Sequence, residues 1–297
     1  MYSGIPEHSD RSMKGRISVV TGGTSGIGKE TAIGLSRLGS HVIIVGRSRE
    51  KCQDTVEEIE SITDNVNISF ETADLSSMES VRRLAETISS KNPRIHVLVN
   101  NAGGVFSSRM LTADGYESTM ALGYLSPFLL THLLLPSLMA ADRARIVNIG
   151  SSVHKSGLRD FNFSYPGKYA PMKAYATSKL MMTMFSYALS RHLAGTGVSV
   201  SLVQPGFVAT NLGKNSGSGL LSASFGIMRP FQISAEEAAK TPVYLASTPD
   251  PAKINGRCYS RMKPVETSSS SYDTKLQDEL WNRTSETLGL RDITYAK

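Results

Sequence analysis

Cysteine is nearly missing from this chain: Cys52 and Cys258 are the only two among 297 residues. No disulfide framework and no zinc spacing can be built from them. Tryptophan occurs once, and the six histidines are isolated, with no pair at i, i+4 to suggest a metal. No arginine-rich run and no interleaving of aromatic and basic residues is present, so no nucleic-acid partner is expected. The first fourteen residues include Glu7, Asp10 and Arg11 and lack the apolar core of a secretory signal. With that, a cytoplasmic protein is expected.

Long uncharged runs that are also strongly apolar are scarce, with one exception. Residues 120–141 carry no charge and are long enough to cross a bilayer. Gly123, Pro127, His132 and Pro136 interrupt them, which favours a buried or interface helix over a membrane span. Peripheral association with a membrane stays open. The remaining composition is ordinary for a globular protein, 40% hydrophobic and 20% charged. A net charge of +6 suits a phosphorylated ligand without specifying one.

Apolar strand-like runs alternate with helical patterns along the chain. Strands are predicted at 16–21, 41–45, 67–72, 95–99, 145–149 and 198–203, with a short last one at 257–259. Helices are predicted at 29–38, 50–62, 77–89, 112–139 and 172–194, another after Ser234, and a final one around Trp281. Ser234 and Glu237 have capping-box spacing. This rhythm predicts α/β architecture: one open, doubly wound, mostly parallel sheet with helices on both faces. The predicted organisation is a flexible segment 1–14 followed by a single domain, 15–297. Within it lie an apolar, Gly/Ser-rich flap at 211–232 and a C-terminal extension at 262–297. Residues 263–275 read as an exposed loop.

Ligands of such sheets bind beyond the carboxyl ends of the strands. Thr21-Gly22-Gly23-Thr24-Ser25-Gly26-Ile27-Gly28 follows the first strand and opens the first helix. Glycines let backbone approach a pyrophosphate, and the helix amino end offers N–H donors. The second strand leads to Gly46-Arg47-Ser48-Arg49, with no acid before Glu50. An acid there would read a free ribose, whereas Arg47 could grip a 2′-phosphate, which favours NADP(H) over NAD(H). Asp74-Leu75 ends the third strand, where the carboxylate could accept from an adenine amino group. Asn100-Asn101-Ala102-Gly103 ends the fourth, Asn148-Ile149-Gly150-Ser151 the fifth and Pro205-Gly206 the sixth, with Thr210 just beyond.

Tyr175 and Lys179 lie four apart in Ala174-Tyr175-Ala176-Thr177-Ser178-Lys179 and so share a helix face. A cation near a phenol favours the phenolate; lowering a pKa near ~10 by two units needs about 2.7 kcal/mol. The pair thereby becomes a candidate general acid/base.

The ordered set of these motifs resembles the short-chain dehydrogenase/reductase family from about residue 14 to 259. Within it the chain is most similar to retinol-dehydrogenase-like reductases, on Arg47-Ser48-Arg49-Glu50-Lys51, Arg145-Ile146-Val147-Asn148 and the long insert between Ser151 and Tyr175. The resemblance implies a Rossmann-like fold and an enzyme interconverting a carbonyl and an alcohol on a small to medium apolar substrate. Tyr175 would be the acid/base, Ser151 would hold the substrate oxygen, and Lys179 would bind the nicotinamide ribose and depress the tyrosine pKa. Gly22, Ser25, Gly26, Ile27, Gly28, Arg47, Asp74, Leu75 and Asn101 would contact the adenine half, with Ala102 and Gly103 beside the ribose. Pro205, Gly206, Phe207 and Thr210 would border the nicotinamide. No metal is expected, and homo-oligomers formed through helices 112–139 and 172–194 are.

One position departs from the family. In Leu122-Gly123-Tyr124-Leu125-Ser126-Pro127-Phe128, Gly123 stands where relatives commonly have asparagine. Glycine keeps the carbonyl that serves a proton relay but loses the side chain. The alternative function is therefore an NADP(H)-binding sensor with weak turnover. Phe161, Phe163, Tyr165 and Tyr169 in the insert either line a greasy pocket or pack the insert onto the sheet.

Overall fold

The computed structural model describes residues 12–206 and 233–290. Strands β1 (Ile17–Thr21), β2 (His41–Gly46), β3 (Ile68–Thr72), β4 (Val97–Asn100), β5 (Arg145–Ile149), β6 (Ser199–Val203) and β7 (Arg257–Ser260) pair in parallel. An eighth, β8 (Lys263–Val265), pairs antiparallel with β7. The order is β3-β2-β1-β4-β5-β6-β7-β8.

Alternation along the strands divides the core in two. Val19, Ile43, Leu98, Ile146 and Val200 face one cluster. Val20, Val42, Ile44, Val99, Val147 and Val203 face the other. Both faces are covered, so these runs are apolar throughout, as parallel sheets require. Each fully buried Val, Leu or Ile contributes roughly 1.5–3 kcal/mol. Helices α1 (Gly26–Arg37), α2 (Arg49–Thr63) and α6 (Ala235–Ser247) supply buried residues to the second cluster. Helices α3 (Met78–Lys91), α4 (Ser118–Met139) and α5 (Pro171–His192) supply the first, joined by α7 (Thr274–Thr287).

Three findings refine the sequence reading. Met13, assigned to the flexible leader, is buried, and its amide donates to the Leu38 carbonyl. Segment 263–275 is largely exposed, as read, but is not simply loop: it forms β8 and a 3₁₀ turn, Ser269–Tyr272, with Thr267 and Ser271 buried. Sequence missed it because polar serines read as loop, whereas here they bond one another. Pro264 sits on this edge strand, where a missing N–H is tolerated. Third, the capping box at α6 is half formed. The Ser234 hydroxyl accepts from the Glu237 amide, while the Glu237 carboxylate pairs with Lys240.

Among the described residues, α4 is the one helix long and apolar enough to cross a membrane, and most of it is buried inside the fold. Helix α7 packs on α4 and α5, the helices named for two-fold pairing, through Trp281. Trp281 packs 5.2 Å from Phe128, 6.0 Å from Phe185 and stacks at 4.2 Å on His192. The insert aromatics resolve toward packing: Phe161, Phe163 and Tyr165 are buried in the first core cluster.

Candidate active site

The strand order reverses between β1 and β4, which places the glycine-rich turn beside the end of β4. Thr21 joins the two: its hydroxyl donates to the Val99 carbonyl at 3.3 Å and accepts from the amides of Asn101 and Ala102 at 3.0 and 3.1 Å. The Asn101 side-chain amide donates to the carbonyls of Thr21 and Gly22 at 2.9 and 3.2 Å. Asn101 thus shapes the glycine turn from behind. A Cβ on Gly28 would lie 2.3 Å from both the Asn101 Nδ2 and the Gly22 oxygen, so only glycine permits this approach. Gly22 has φ +65°, a conformation that favours glycine.

The amino end of α1, like that of α5, carries no side-chain cap. Side chains of Ser48, Ser77, Ser234 and Asp273 cap α2, α3, α6 and α7. Ser25 makes no side-chain cap on α1, and the first turn of α1 holds no acid. Its leading N–H groups therefore point out of a glycine cradle with no carboxylate to repel an anion. Ser25, Gly26, Ile27 and Gly28 fit a pyrophosphate on these grounds. Arg47 is exposed immediately past β2, and Ser48 beside it caps α2. The neighbouring Arg49 lies 5.5 Å over the Phe70 ring. Asp74 is exposed at the end of β3, with Oδ1 accepting from the amide and hydroxyl of Ser76; the Leu75 side chain is buried. Pro205 and Gly206 follow β6. Phe207, Thr210 and the flap at 211–232 lie outside the described residues.

Ser151, Tyr175 and Lys179 meet beyond the ends of β5 and β6. Ser151 is extended (φ −165°) and caps the 3₁₀ turn Ser152–Ser156, accepting from the Val153 amide at 3.4 Å. That bond occupies an oxygen lone pair and leaves the hydroxyl hydrogen free to donate. Lys179 is 3% exposed, and its ammonium donates to the Ile149 carbonyl at 2.7 Å. Nζ lies 5.7 Å from the Tyr175 ring centroid. A Cβ at Gly103 would sit 3.6 Å from Nζ, so glycine leaves that side of the ammonium open.

Electrostatics in this pocket differ from the expectation. The sequence reading has Lys179 depress the Tyr175 pKa. Instead burial pushes the phenol up to about 12, with the Ser151 hydroxyl pulling it back. The residue keeps some accessible surface, but protein crowds its hydroxyl. Burial also lowers Lys179 to about 8, which weakens it as a cation. Desolvation dominates on both groups, an effect that residue spacing cannot show.

Residues beyond the motifs hold the trio. Asn100 donates to the Thr131 hydroxyl at 3.0 Å and to Asn148 Oδ1 at 2.8 Å. Asn148 donates to Ser186 at 2.9 Å. This buried bridge ties β4 and β5 to α4 and α5. Gly123 lies in a widened turn, Ala121–Leu125, where the Ser126 amide reaches back to the Ala121 carbonyl. A Cβ at 123 would meet the Ser178 hydroxyl at 3.0 Å. Ser178 in turn donates to the Tyr175 carbonyl at 2.9 Å. Sequence missed Thr131, Ser186 and His154 because no motif contains them. Beside the trio runs an open groove of about 440 Å³ lined by Val153, Ser156, Ala170, Pro171, Met172 and Lys173.

A doubly wound sheet with this trio at its carboxyl edge defines a class of nucleotide-dependent oxidoreductase. Residues 16–220 match the short chain dehydrogenase family, and the chain belongs to that family. It is 36% identical to human polyprenol dehydrogenase over 94% of this chain and 87% of that protein. It is 35% identical to bovine retinol dehydrogenase 12, over 98% and 92%. A Pseudomonas aeruginosa RhlG/NADP active-site complex superposes with a TM-score of 0.68 at 30% identity, covering 84% of this chain and 96% of that one. The protein is an oxidoreductase acting between alcohol and carbonyl, of a family that uses NAD(P).

Proposed function

We propose that the protein is an NADP(H)-dependent carbonyl reductase and alcohol dehydrogenase for apolar substrates of retinoid-, steroid- or aliphatic-aldehyde-like character. The convergence of Ser151, Tyr175 and Lys179 beside an apolar groove carries this reading. Arg47, with no acid between it and β2, supports a 2′-phosphate over a free ribose. Relatives named for retinol and polyprenol, both long apolar alcohols, support the substrate class. So does the groove wall of Val153, Ala170, Pro171 and Met172.

When bound, the reduced nicotinamide supplies the hydride. Ser151 donates to the substrate oxygen and holds it against Tyr175. Tyr175 gives its phenolic proton to that oxygen as negative charge develops there. With its pKa near 12, Tyr175 is fully protonated at neutral pH, the state that reduction needs. Lys179, fixed by the Ile149 carbonyl, holds its remaining donors toward the ribose side, beneath Gly103.

Oxidation of NADPH followed by absorbance against aliphatic, aromatic and retinoid-like carbonyls tests the reading. Turnover on apolar members with little on polar ones supports it. Tight NADPH binding without turnover on any member favours the sensor reading that Gly123 suggests.

A further inference from the structure

His154 is fully buried three residues past Ser151 and belongs to no motif of the nucleotide site. Its Nδ1 lies 2.8 Å from the Ser151 carbonyl, and its Nε2 lies 3.0 Å from the Ser268 amide nitrogen. A backbone N–H can only donate, so Nε2 is the acceptor and the proton resides on Nδ1. That proton is donated to the Ser151 carbonyl. One imidazole therefore clamps Ser151 to a loop 114 residues away. Burial lowers the pKa of His154, which keeps Nε2 an acceptor.

The loop is itself fastened to α5. The Thr267 hydroxyl meets the Tyr187 hydroxyl at 2.9 Å and that of Ser271 at 2.7 Å. Tyr272 stacks on Tyr187 at 5.1 Å and accepts from the Thr267 amide. Gln277 donates to the Ser271 carbonyl, and Arg191 pairs with Asp278 at 2.6 Å. The far end of the Ser151 turn rests on α5 too, where the Leu158 amide donates to Thr177 at 2.9 Å. Helix α5 carries Tyr175 and Lys179. A closed path thus runs from α5 through residues 267–272 and His154 to Ser151.

We propose that His154 is a positioning residue, through which the C-terminal segment 267–272 sets the distance between the Ser151 hydroxyl and the Tyr175 phenol. This rests on the reading of Ser151 and Tyr175 given above. The segment is then part of the reaction machinery although no atom of it reaches substrate.

The test uses the full chain, NADPH and whichever carbonyl of the panel turns over fastest. Asparagine places an N–H near Nδ1, whereas glutamine places its oxygen near Nε2. His154→Ala and His154→Gln lower kcat about tenfold or more, short of the loss from deleting a direct oxyanion donor. His154→Asn, which keeps donation to the Ser151 carbonyl but loses the Ser268 link, lowers kcat to about the level of Ser268→Pro. KM and NADPH affinity stay near wild type in all three. Ser268 has φ −68°, which a proline ring permits, so Ser268→Pro removes the N–H and sets Cδ against the imidazole, breaking the link. It lowers kcat well below that of Ser268→Ala. Nitrogen-edited NMR of the wild type shows the Nδ1-protonated tautomer.

Wild-type kcat in His154→Ala or His154→Asn, or equal kcat in the two Ser268 variants, overturns the proposal. So does parallel loss of NADPH binding and kcat, which marks a folding role. If Tyr175→Phe keeps full turnover, the reading beneath fails and the proposal falls with it. If Tyr175→Phe is dead and the His154 series is flat, only the coupling is wrong.

Discussion

The Lys179 ammonium stands 5.7 Å from the Tyr175 ring centroid and donates to the Ile149 carbonyl, so one buried lysine links the end of β5 to the candidate acid/base. The phenol is still pushed up to about 12, because burial acts on it more strongly than any partner. Tyr175→Phe removes the proton and leaves the cradle untouched. Turnover should fall about 10²–10⁴-fold, the usual worth of a placed general acid. NADPH affinity, read by fluorescence titration, should change little. Substantial residual turnover would remove Tyr175 from the mechanism.

The same shifts set a pH dependence. Reduction needs the neutral phenol, which prevails well below about 12, so its rate should be flat between mildly acidic pH and the Lys179 pKa of about 8. Alcohol oxidation needs the phenolate, so its kcat/KM should climb with pH into the alkaline range. An oxidation optimum at neutrality would show that cofactor or substrate reverses the balance of desolvation. Stability carries a separate sign. Lys179 binds its proton less readily folded than unfolded, so the protein should gain stability as pH rises from about 8 toward 10.5. Lys179→Met should abolish that gain in urea titrations.

Arg47 is exposed at the end of β2, free to meet a phosphate group. Arg47→Ala should weaken NADPH by 1.5–3 kcal/mol, about the worth of a charge-assisted hydrogen bond, and leave NADH nearly unchanged. Equal losses for both cofactors in isothermal titration would assign the 2′-phosphate to another group.

Gly123 meets Ser178 closely, and the Ser178 hydroxyl is held by the Tyr175 carbonyl. Restoring the common residue by Gly123→Asn gains only about 0.3 kcal/mol of helix propensity and must displace that hydroxyl. The contact should win: thermal unfolding falls below wild type, and adding Ser178→Ala recovers it. A single variant more stable than wild type would show that Ser178 yields freely.

Trp281 fills the space between Phe128, His132, Phe185 and His192. Trp281→Ala should cost about 3–5 kcal/mol by chemical denaturation, the range for truncating a buried aromatic. A loss under 1 kcal/mol would mean that α7 contributes little to the fold.

Much of this was written locally. Strand and helix positions follow from hydrophobic period, and the observed bounds of β1, β2, β5 and α5 shift by only a residue or two from the sequence reading. The glycine turn, the empty cap of α1 and the helical spacing of Tyr175 and Lys179 depend on residues adjacent in the chain or one turn apart. For such features, side-chain type and backbone freedom are enough. Segment 267–272 was illegible because four consecutive serines look like solvent-facing loop until their partners on α5 and in the turn after Ser151 are known.

Sequence by itself determined the parallel sheet, the cradle at its edge and the identity of the groups gathered there. Tertiary structure alone decided how dry those groups are, which is why the phenol rises where the spacing to a lysine suggested it would fall. It alone decided that α7 packs on the apolar helices and that His154 reaches across to Ser268. Desolvation and long-range hydrogen bonds depend on which distant segments come together, and no local pattern encodes that.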